Sequence, residues 1–214
     1  IDMMGFYKLN KFHFHISDDE GWRLEIPGLA ELTEVGSKRG HTIDESDMLN
    51  PAYGSGPNPS KESNGSGFYT KAEFVEILNY AKARHIEVIP ELDFPGHARA
   101  AIVSMKARQK KLLKAGKTKE ANQYILHDPN DASTYNSVQN YDDNVVCVCQ
   151  ESTYDFIEKV VDEVVGMYKT AGLQLNLVHI GGDEVPHPTD AQPDNQVWIK
   201  SPKCKSFLEG NKEY

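Results

Sequence analysis

Short strand-like runs alternate with longer helix-like runs along this chain, and that alternation limits the folds open to it more than any other feature. Residues 11–16 alternate strictly, with large apolar side chains on one face and His13 and His15 on the other, which is typical of a half-buried strand. Residues 87–92 form a second short apolar run, and residues 173–180 form a third. We interpret all three runs as strands.

Helical spacing of apolar residues occurs in the stretches around these strands. It is found in residues 1–9, 70–84, 97–114 and 152–171. Thr70 and Glu73 have the pattern of a capping box at the start of the second stretch, and Gly172 follows the last stretch where a C-cap glycine belongs. Strands that alternate with helices pair in parallel and are covered by those helices, so the sequence predicts an α/β fold.

Two long segments show neither period and interrupt this order. Residues 36–67 are dense in Gly, Pro, Ser and Asn, and residues 115–148 are polar and irregular. We interpret both segments as insertions within a single domain that spans residues 1–214.

Composition argues against several classes of function. Hydrophobic residues make up 39% of the chain and charged residues 26%, which is typical of a globular protein. The net charge of −9 argues against a surface that binds nucleic-acid phosphates. No apolar run reaches the roughly 18 residues that a membrane helix needs, so no membrane segment is expected.

Acidic and imidazole side chains follow each of the three predicted strands. They are Asp18 and Asp19 after the first, Asp93 and His97 after the second, and Asp183 and Glu184 after the third. Ligand chemistry in barrels and open α/β sheets gathers at the carboxyl ends of parallel strands. The sequence therefore predicts one functional site to which three strand ends contribute.

The pair Asp183-Glu184 is the sharpest of these features. Adjacent residues of an ideal strand point to opposite faces, so two neighbouring carboxylates can serve one substrate only where the backbone turns. Gly181 and Gly182 directly before the pair would permit such a turn. Two carboxylates in different environments are typical of acid catalysis at an acetal. The alternative is that the pair is a helix start or a solvated loop.

Other candidate residues also have two readings. The histidines on the first strand could bind a metal ion or a sugar, although a structural role with buried partners is favoured for His13. Asp18, just past the strand, is a stronger candidate for a functional residue than His13. We expect His97 to open a helix, which would lower the pKa of its imidazole and keep it neutral, or to be a polar helix-start residue only. For Trp22, core packing is favoured over a role as a sugar platform.

The chain resembles a known family in three ordered motifs. Residues 13–27 (His-Phe-His-Ile-Ser-Asp-Asp-Glu-Gly-Trp-Arg-Leu-Glu-Ile-Pro), residues 87–98 (Glu-Val-Ile-Pro-Glu-Leu-Asp-Phe-Pro-Gly-His-Ala) and residues 179–184 (His-Ile-Gly-Gly-Asp-Glu) resemble the β-N-acetylhexosaminidases of glycoside hydrolase family 20. The segments between the motifs are similar to the chitobiase branch. The resemblance covers nearly the whole chain.

The resemblance implies an eightfold βα barrel and exo-cleavage of terminal N-acetylhexosamine from chitin oligosaccharides, with the substrate's own 2-acetamido group as nucleophile. It assigns Glu184 as the general acid and then the general base, which must start protonated. It assigns Asp183 as the carboxylate that receives the acetamido N–H, and Asp18 and His97 as a relay that supports Glu184. It implies no metal ion or organic cofactor, and a secreted, periplasmic or lysosome-like compartment.

The resemblance also implies that part of the family's barrel is missing. Only three strands are evident, whereas a barrel needs eight strands and about 250 residues, so we expect a partial barrel. The family's sugar-gripping arginine would precede Ile1, and its acetamide-pocket tryptophans would follow Tyr214. By position in the family, Cys149 and Cys204 would form a disulfide.

Two other functions remain open at this point. A metal-dependent barrel hydrolase of the amidohydrolase kind could use His13, His15, His97 and Asp183 as ligands. A degenerate homologue that only binds carbohydrate would account for the missing arginine and tryptophans. Inhibition by a chelator would favour the first, and absence of turnover would favour the second.

Overall fold

The computed structural model describes residues 1–52, 54–60 and 64–210, which form short strands covered on one side by helices. The strands are β1 (Lys11–Asp18), β2 (Gly21–Trp22) and β3 (Glu87–Leu92). The helices are α1 (Asp2–Phe6), α2 (Glu31–Glu34), α3 (Lys71–Lys82), α4 (Arg99–Lys114), α5 (Thr118–Asn122), α6 (Glu151–Thr170) and α7 (Lys205–Gly210).

The sheet has the order β2-β1-β3, and its two longer strands run parallel. Phe12 pairs with Val88 and His15 with Glu91, and the register then shifts between His15 and Ser17. The short β2 pairs antiparallel with the end of β1. The predicted strands at residues 11–16 and 87–92 and the α/β class are therefore confirmed.

The prediction of a third strand at residues 173–180 was wrong for most of that segment. Within the described residues, the segment 173–180 makes a single parallel bridge, between Glu91 and His179. His179 N–H donates to Pro90 O at 3.0 Å, and Leu92 N–H donates to His179 O at 3.0 Å. Leu173, the first residue of the segment, instead donates its N–H to Tyr168 O at the end of α6. Apolar alternation marks an extended segment that lies against a core, but it does not require a ladder of hydrogen bonds.

The long helices lie close to their predicted positions. At the start of α3, Glu73 N–H donates to Thr70 Oγ1 at 3.2 Å and Thr70 N–H donates to Glu73 Oε2 at 2.8 Å, so the capping box is confirmed. Gly172 has φ +64° just past the end of α6, as a C-cap glycine does. The N-terminal stretch contains only the five-residue α1.

The core lies between the sheet and helices α3, α4 and α6. Its largest fully buried side chains include Trp22, Phe74 and Phe156. The rings of Trp22 and Phe156 meet edge to face with their centroids 6.0 Å apart, and Phe94 contacts the same ring from the strand end at 6.1 Å. The preference for Trp22 as a core residue over a sugar platform is confirmed.

The two segments interpreted as insertions are held together by one buried arginine. In the segment 36–67, the described residues contain no helix or strand, and the segment 115–148 contains α5. Arg99, the first residue of α4, donates from Nη2 to Glu45 at 2.6 Å and from Nε to Asp143 at 2.7 Å. Both segments therefore pack against the end of the sheet where the predicted functional residues lie. Among the described residues, every helix is too short or too polar to cross a membrane.

A disulfide joins Cys149 to Cys204, as the family resemblance implies, and Cys147 is left as a buried thiol. The bond joins residues 55 positions apart and ties the segment before α6 to the segment before α7.

We expect thiol alkylation of the denatured, unreduced protein to label Cys147 alone, and alkylation after reduction to label all three cysteines. Intact-mass measurement of the two samples counts the labels directly. Equal label counts with and without reductant would contradict the disulfide.

Candidate active site

Three chain segments bring their carboxyl ends to one imidazole. Asp18 ends β1, His97 lies between β3 and α4, and Asp183 and Glu184 follow the segment that bridges to β3. His97 Nδ1 lies 3.3 Å from Asp18 Oδ1. On the other side of the ring, His97 Nε2 lies 3.3 Å from Glu184 Oε2 and 3.5 Å from Asp183 Oδ2. The structure therefore brings together the four residues for which the family resemblance implies a role.

The carboxylate pair reaches this position through a backbone turn. Gly181 has φ +67°, Gly182 has φ +89° and Glu184 has φ +50°, and all three values lie in the left-handed region. A Cβ on Gly181 would lie 1.6 Å from Asp93 Oδ1, so only glycine fits there. The interpretation that these glycines turn the backbone is confirmed, because Asp183 and Glu184 face the same imidazole instead of opposite faces.

His97 does not open a helix, and the expected effect on its pKa was wrong. Helix α4 begins two residues later, at Arg99, and His97 itself has φ +50°. Burial of the ring lowers its pKa, but the carboxylates Asp18, Asp19 and Asp183 raise it and outweigh burial, so the pKa lies above its usual value. The imidazole therefore has a greater tendency to be protonated than a free histidine.

Asp19 belongs to the site, although the sequence analysis favoured its neighbour Asp18. Its side chain is completely buried, and its Oδ2 lies 3.4 Å from His97 Nδ1. Asp19 accepts hydrogen bonds from Arg99 N–H at 3.0 Å and from Asn144 Nδ2 at 2.8 Å. Burial raises the pKa of Asp19 to about 6, against the effect of these hydrogen bonds. The register shift near the end of β1, which no sequence pattern shows, is next to the position where both aspartates meet the same ring.

Asp93 lies beneath the glycine turn and joins the site to β1. Its carboxylate is buried and lies 2.8 Å from His15 Nε2. Burial raises the pKa of Asp93 to about 6, the nearby His15 lowers it, and the carboxylates around it raise it further.

Gln139 is a site residue that the sequence did not predict. Its Nε2 donates to Glu184 Oε2 at 2.7 Å from within the segment 115–148. No motif marks this glutamine, because the contact depends on how an irregular segment folds over the strand ends.

The ligands that a metal hydrolase would use here, His13, His15, His97 and Asp183, do not lie around a common position at which one ion could bind all four. His13 Nε2 lies 2.6 Å from Glu91, His15 Nε2 pairs with Asp93, and His97 faces Asp183 at another position. His13 has a buried partner as expected, but its own side chain is half exposed.

A cavity of about 410 Å³ opens beside Glu184. Its lining combines amide and hydroxyl side chains with apolar ones, and Glu184 is its acidic group. The wall is formed by two segments that meet, since Asn136 N–H donates to Asn195 Oδ1 at 2.8 Å. Residues on the wall include Asn136, Val138, His187, Gln192 and Asn195.

An α/β protein with two adjacent carboxylates and an imidazole at its strand ends has the equipment that glycoside hydrolases use for acid–base chemistry. Residues 1–214 match the family model described as "Glycosyl hydrolase family 20, catalytic domain". The chain belongs to this family, whose catalytic domain is a TIM barrel.

Relatives of known name agree with this assignment. The chain is 53% identical over 229 aligned residues to the N,N'-diacetylchitobiase of Vibrio harveyi, covering 97% of this chain and 26% of that protein. It is 46% identical over 208 residues to the Beta-hexosaminidase of Vibrio vulnificus, covering 97% of this chain and 23% of that protein. The chain therefore spans about a quarter of the length of these relatives.

A solved structure has the same fold along nearly the whole chain. It is the GH20 exo β-N-acetylglucosaminidase from Vibrio harveyi in complex with N-acetylglucosamine. It matches with a TM-score of 0.75 and 37% identity over 99% of this chain and 27% of that one.

We expect Asp19→Asn to flatten the dependence of stability on pH. The pKa of the Asp19 carboxyl lies at about 6 in the folded protein and at 3.8 normally. The protonated carboxyl therefore stabilises the fold fully below pH 3.8, and this stabilisation is lost as the pH rises through 6. The shift of about 2 units corresponds to roughly 3 kcal/mol in the free energy of unfolding. Urea unfolding of the wild type and of Asp19→Asn at pH 4, 5, 6 and 7 measures the free energy of unfolding at each pH.

The matched control for this experiment is Asp155→Asn, which removes an exposed carboxylate on α6. We expect its curve of unfolding free energy against pH to parallel that of the wild type. A parallel curve for Asp19→Asn as well would contradict the raised pKa.

Proposed function

We propose that the protein containing this chain is an exo-acting glycoside hydrolase that removes terminal non-reducing N-acetyl-D-hexosamine from chitobiose and chitin oligosaccharides. The observation that carries the proposal is the glycine turn, which presents Asp183 and Glu184 side by side at His97. The names of the Vibrio relatives support the substrate class, since they are a diacetylchitobiase and a β-hexosaminidase.

In the proposed reaction the substrate supplies its own nucleophile. Glu184 gives its proton to the glycosidic oxygen, while the carbonyl oxygen of the 2-acetamido group attacks the anomeric carbon and the bond to the leaving oxygen breaks. The Asp183 carboxylate accepts the acetamido N–H and stabilises the positive oxazolinium-like intermediate. Water then attacks the anomeric carbon while its bond to the acetamido oxygen breaks, and the water gives a proton to the Glu184 carboxylate. The acetamido group is thereby restored, and the two displacements retain the configuration. These steps use no metal ion or organic cofactor.

The remaining residues position the acid. His97 lies between Asp18 and Glu184, at 3.3 Å from each, which is the order of the proposed relay. The raised pKa of His97 favours a cation that would stabilise Glu184 after it has lost its proton. Gln139 donates to Glu184 Oε2, the same oxygen that faces His97, and limits the rotation of this carboxylate. A fixed carboxylate costs less reorganisation in the transition state.

The cavity beside Glu184 supports a sugar as leaving group. The acid must lie next to the oxygen that it protonates, so the departing residue occupies the Glu184 side of the site. Amide side chains such as Gln192 and Asn195 match sugar hydroxyls, and Val138 offers apolar surface. The volume of about 410 Å³ lies within the usual range for a site that holds one small ligand.

We infer that residues 1–214 form part of a single barrel domain, with insertions near 36–67 and 115–148. One support is the parallel pair of β1 and β3 with its covering helices, because a TIM barrel is built from such strand–helix units. The other support is that the chain belongs to a TIM-barrel family. The disulfide Cys149–Cys204 supports a secreted, periplasmic or lysosome-like location, because such bonds persist in oxidising compartments.

We expect Glu184→Gln to lower turnover of a chromogenic N-acetylglucosaminide by about 10²–10⁴-fold, because the amide cannot donate the catalytic proton in the same way. Glu158→Gln, which changes an exposed residue on α6, is the matched control and should keep wild-type turnover. Both variants are made in the full-length protein that contains this chain.

Two outcomes would count against the proposal. Wild-type turnover in Glu184→Gln would remove this residue as the acid. A full-length wild-type protein that binds N-acetylglucosamine without hydrolysing any N-acetylglucosaminide would favour the degenerate, carbohydrate-binding alternative.

A further inference from the structure

Asn144 joins two parts of the chain that meet at the imidazole of His97. The residue is 1% exposed, so this chain alone already buries it. Its main-chain oxygen accepts the N–H of Ala98, the residue after His97, at 3.0 Å. Its side-chain Nδ2 donates to Oδ2 of Asp19, just past the end of β1, at 2.8 Å. One residue of the segment 115–148 therefore sets the separation between the Asp19 carboxylate and the imidazole.

The imidazole depends on this support because hydrogen bonds do not hold the ring itself. Among the residues that the structure describes, neither nitrogen of His97 has a hydrogen-bond partner, and the nearest carboxylate oxygens lie 3.3–3.5 Å away. His97 also has φ +50°, a left-handed conformation that a non-glycine residue adopts only when its surroundings hold it. Val146 N–H donates to Pro95 O at 2.9 Å. The chain around Asn144 is therefore bonded to the backbone both before and after the histidine.

Asn144 also affects the charge of Asp19. An ionised carboxylate only accepts hydrogen bonds, so the amide must present its NH2 group to Asp19. The other carboxylate oxygen, Asp19 Oδ1, accepts the N–H of Arg99 at 3.0 Å. Burial raises the pKa of Asp19 to about 6, and these two hydrogen bonds oppose that rise. Loss of the amide would therefore favour the neutral carboxyl, which stabilises a cationic His97 less than a carboxylate does.

A group of ion pairs holds Asn144 in place. Arg99 donates from Nε to Oδ1 of Asp143, the residue before Asn144, at 2.7 Å. Its Nη1 and Nη2 donate to the two carboxylate oxygens of Glu45 at 2.9 Å and 2.6 Å, which is a bidentate pair of fixed geometry. The side chains of Arg99 and Glu45 are 10% and 15% exposed, so solvent ions screen this pair little. The support of Asn144 thus consists of contacts within this chain.

We propose that Asn144 is a positioning residue of the acid–base site. It holds the carboxylate of Asp19 at His97, and the ion pair between Arg99 and Asp143 holds Asn144 itself. Removal of the amide should therefore change how readily the imidazole is protonated, although Asn144 does not contact the imidazole through its own side chain.

The proposal predicts one effect on the imidazole and another on turnover. The effect on turnover rests on the proposed hydrolase function, in which a cationic His97 stabilises the acid after it has lost its proton. The effect on the titration of His97 does not rest on that function. Asn144 changes the surroundings of His97 through the one carboxylate to which it donates. The ionisable groups that face the imidazole are those of Asp18, Asp19, Asp93, Asp183 and Glu184.

The test is the pH titration of His97 in the full-length protein, followed by NMR of histidine labelled with carbon-13 at Cε1. The signal that disappears in His97→Gln identifies the residue. We expect Asn144→Leu, which keeps the size of the side chain but removes the donor, to move the midpoint to lower pH by about 0.5 or more. Asn79→Leu, the same change at an exposed position of α3, is the matched control and should leave the midpoint unchanged.

Turnover of an aryl N-acetylglucosaminide by the same variants is the second readout. We expect Asn144→Leu to lower kcat about tenfold, because the acid is less well supported in the transition state. KM should stay close to the wild-type value, since other residues line the cavity beside Glu184. A loss of packing that disturbed the whole site would change kcat and KM together.

A second variant tests the support of Asn144 and keeps the proposal testable if circular dichroism shows that Asn144→Leu is unfolded. Asp143→Asn leaves the amide of Asn144 in place but removes the ion pair with Arg99, and should move the midpoint in the same direction by a smaller amount. Its matched control is Asp142→Asn, which removes the neighbouring exposed carboxylate and should leave the midpoint unchanged.

Three results would overturn the proposal. They are an unchanged midpoint in a folded Asn144→Leu, an equal shift in Asn79→Leu, and equal midpoints in Asp143→Asn and Asp142→Asn. A wild-type protein without turnover, in which Asn144→Leu still shifts the midpoint, would refute the proposed hydrolase and support the hold of Asn144 on His97.

Discussion

Between His179 and Val185 the chain adopts left-handed backbone at Gly181, Gly182 and Glu184, and the rest of the site depends on that turn. Without it, Asp183 and Glu184 would point to opposite faces, as neighbours in a strand do. The turn fits because Gly181 has no Cβ to collide with Asp93, whose carboxylate lies directly beneath it. Glu184 accepts a left-handed conformation that costs a non-glycine residue free energy, which is typical of functional positions.

Charge is the second feature that shapes the site. His97 faces Asp18 and Asp19 with one nitrogen and Asp183 and Glu184 with the other, so one imidazole borders four carboxylates. Burial and the nearby Asp18 raise the pKa of Asp19 to about 6, while Asp18, Asp19 and Asp183 raise the pKa of His97. The protonation of Asp19 and that of His97 therefore depend on each other, since the two side chains lie 3.4 Å apart.

The sequence predicted the parts of the fold that have local causes. Alternation located β1, and the capping box of Thr70 located the start of α3. The glycines before Asp183 predicted the turn, because a positive φ has a clear sequence requirement. Gln139 was missed as a site residue because its contact depends on the distant Glu184. Asp19 was named at the end of the first strand but ranked below Asp18, because its place in the site depends on distant groups such as Asn144. The third strand was overestimated for a similar reason, since a ladder depends on its partner as much as on its own pattern.

The central claim is that Asp183 and Glu184 act on one substrate, the first on its acetamido group and the second on its leaving oxygen. The most direct measurement is the anomeric form of the N-acetylglucosamine first released from an aryl N-acetyl-β-D-glucosaminide by the full-length protein, followed by proton NMR before mutarotation. The account predicts the β-anomer, because two successive displacements restore the starting configuration. The α-anomer as first product would show a single displacement by water and would contradict it.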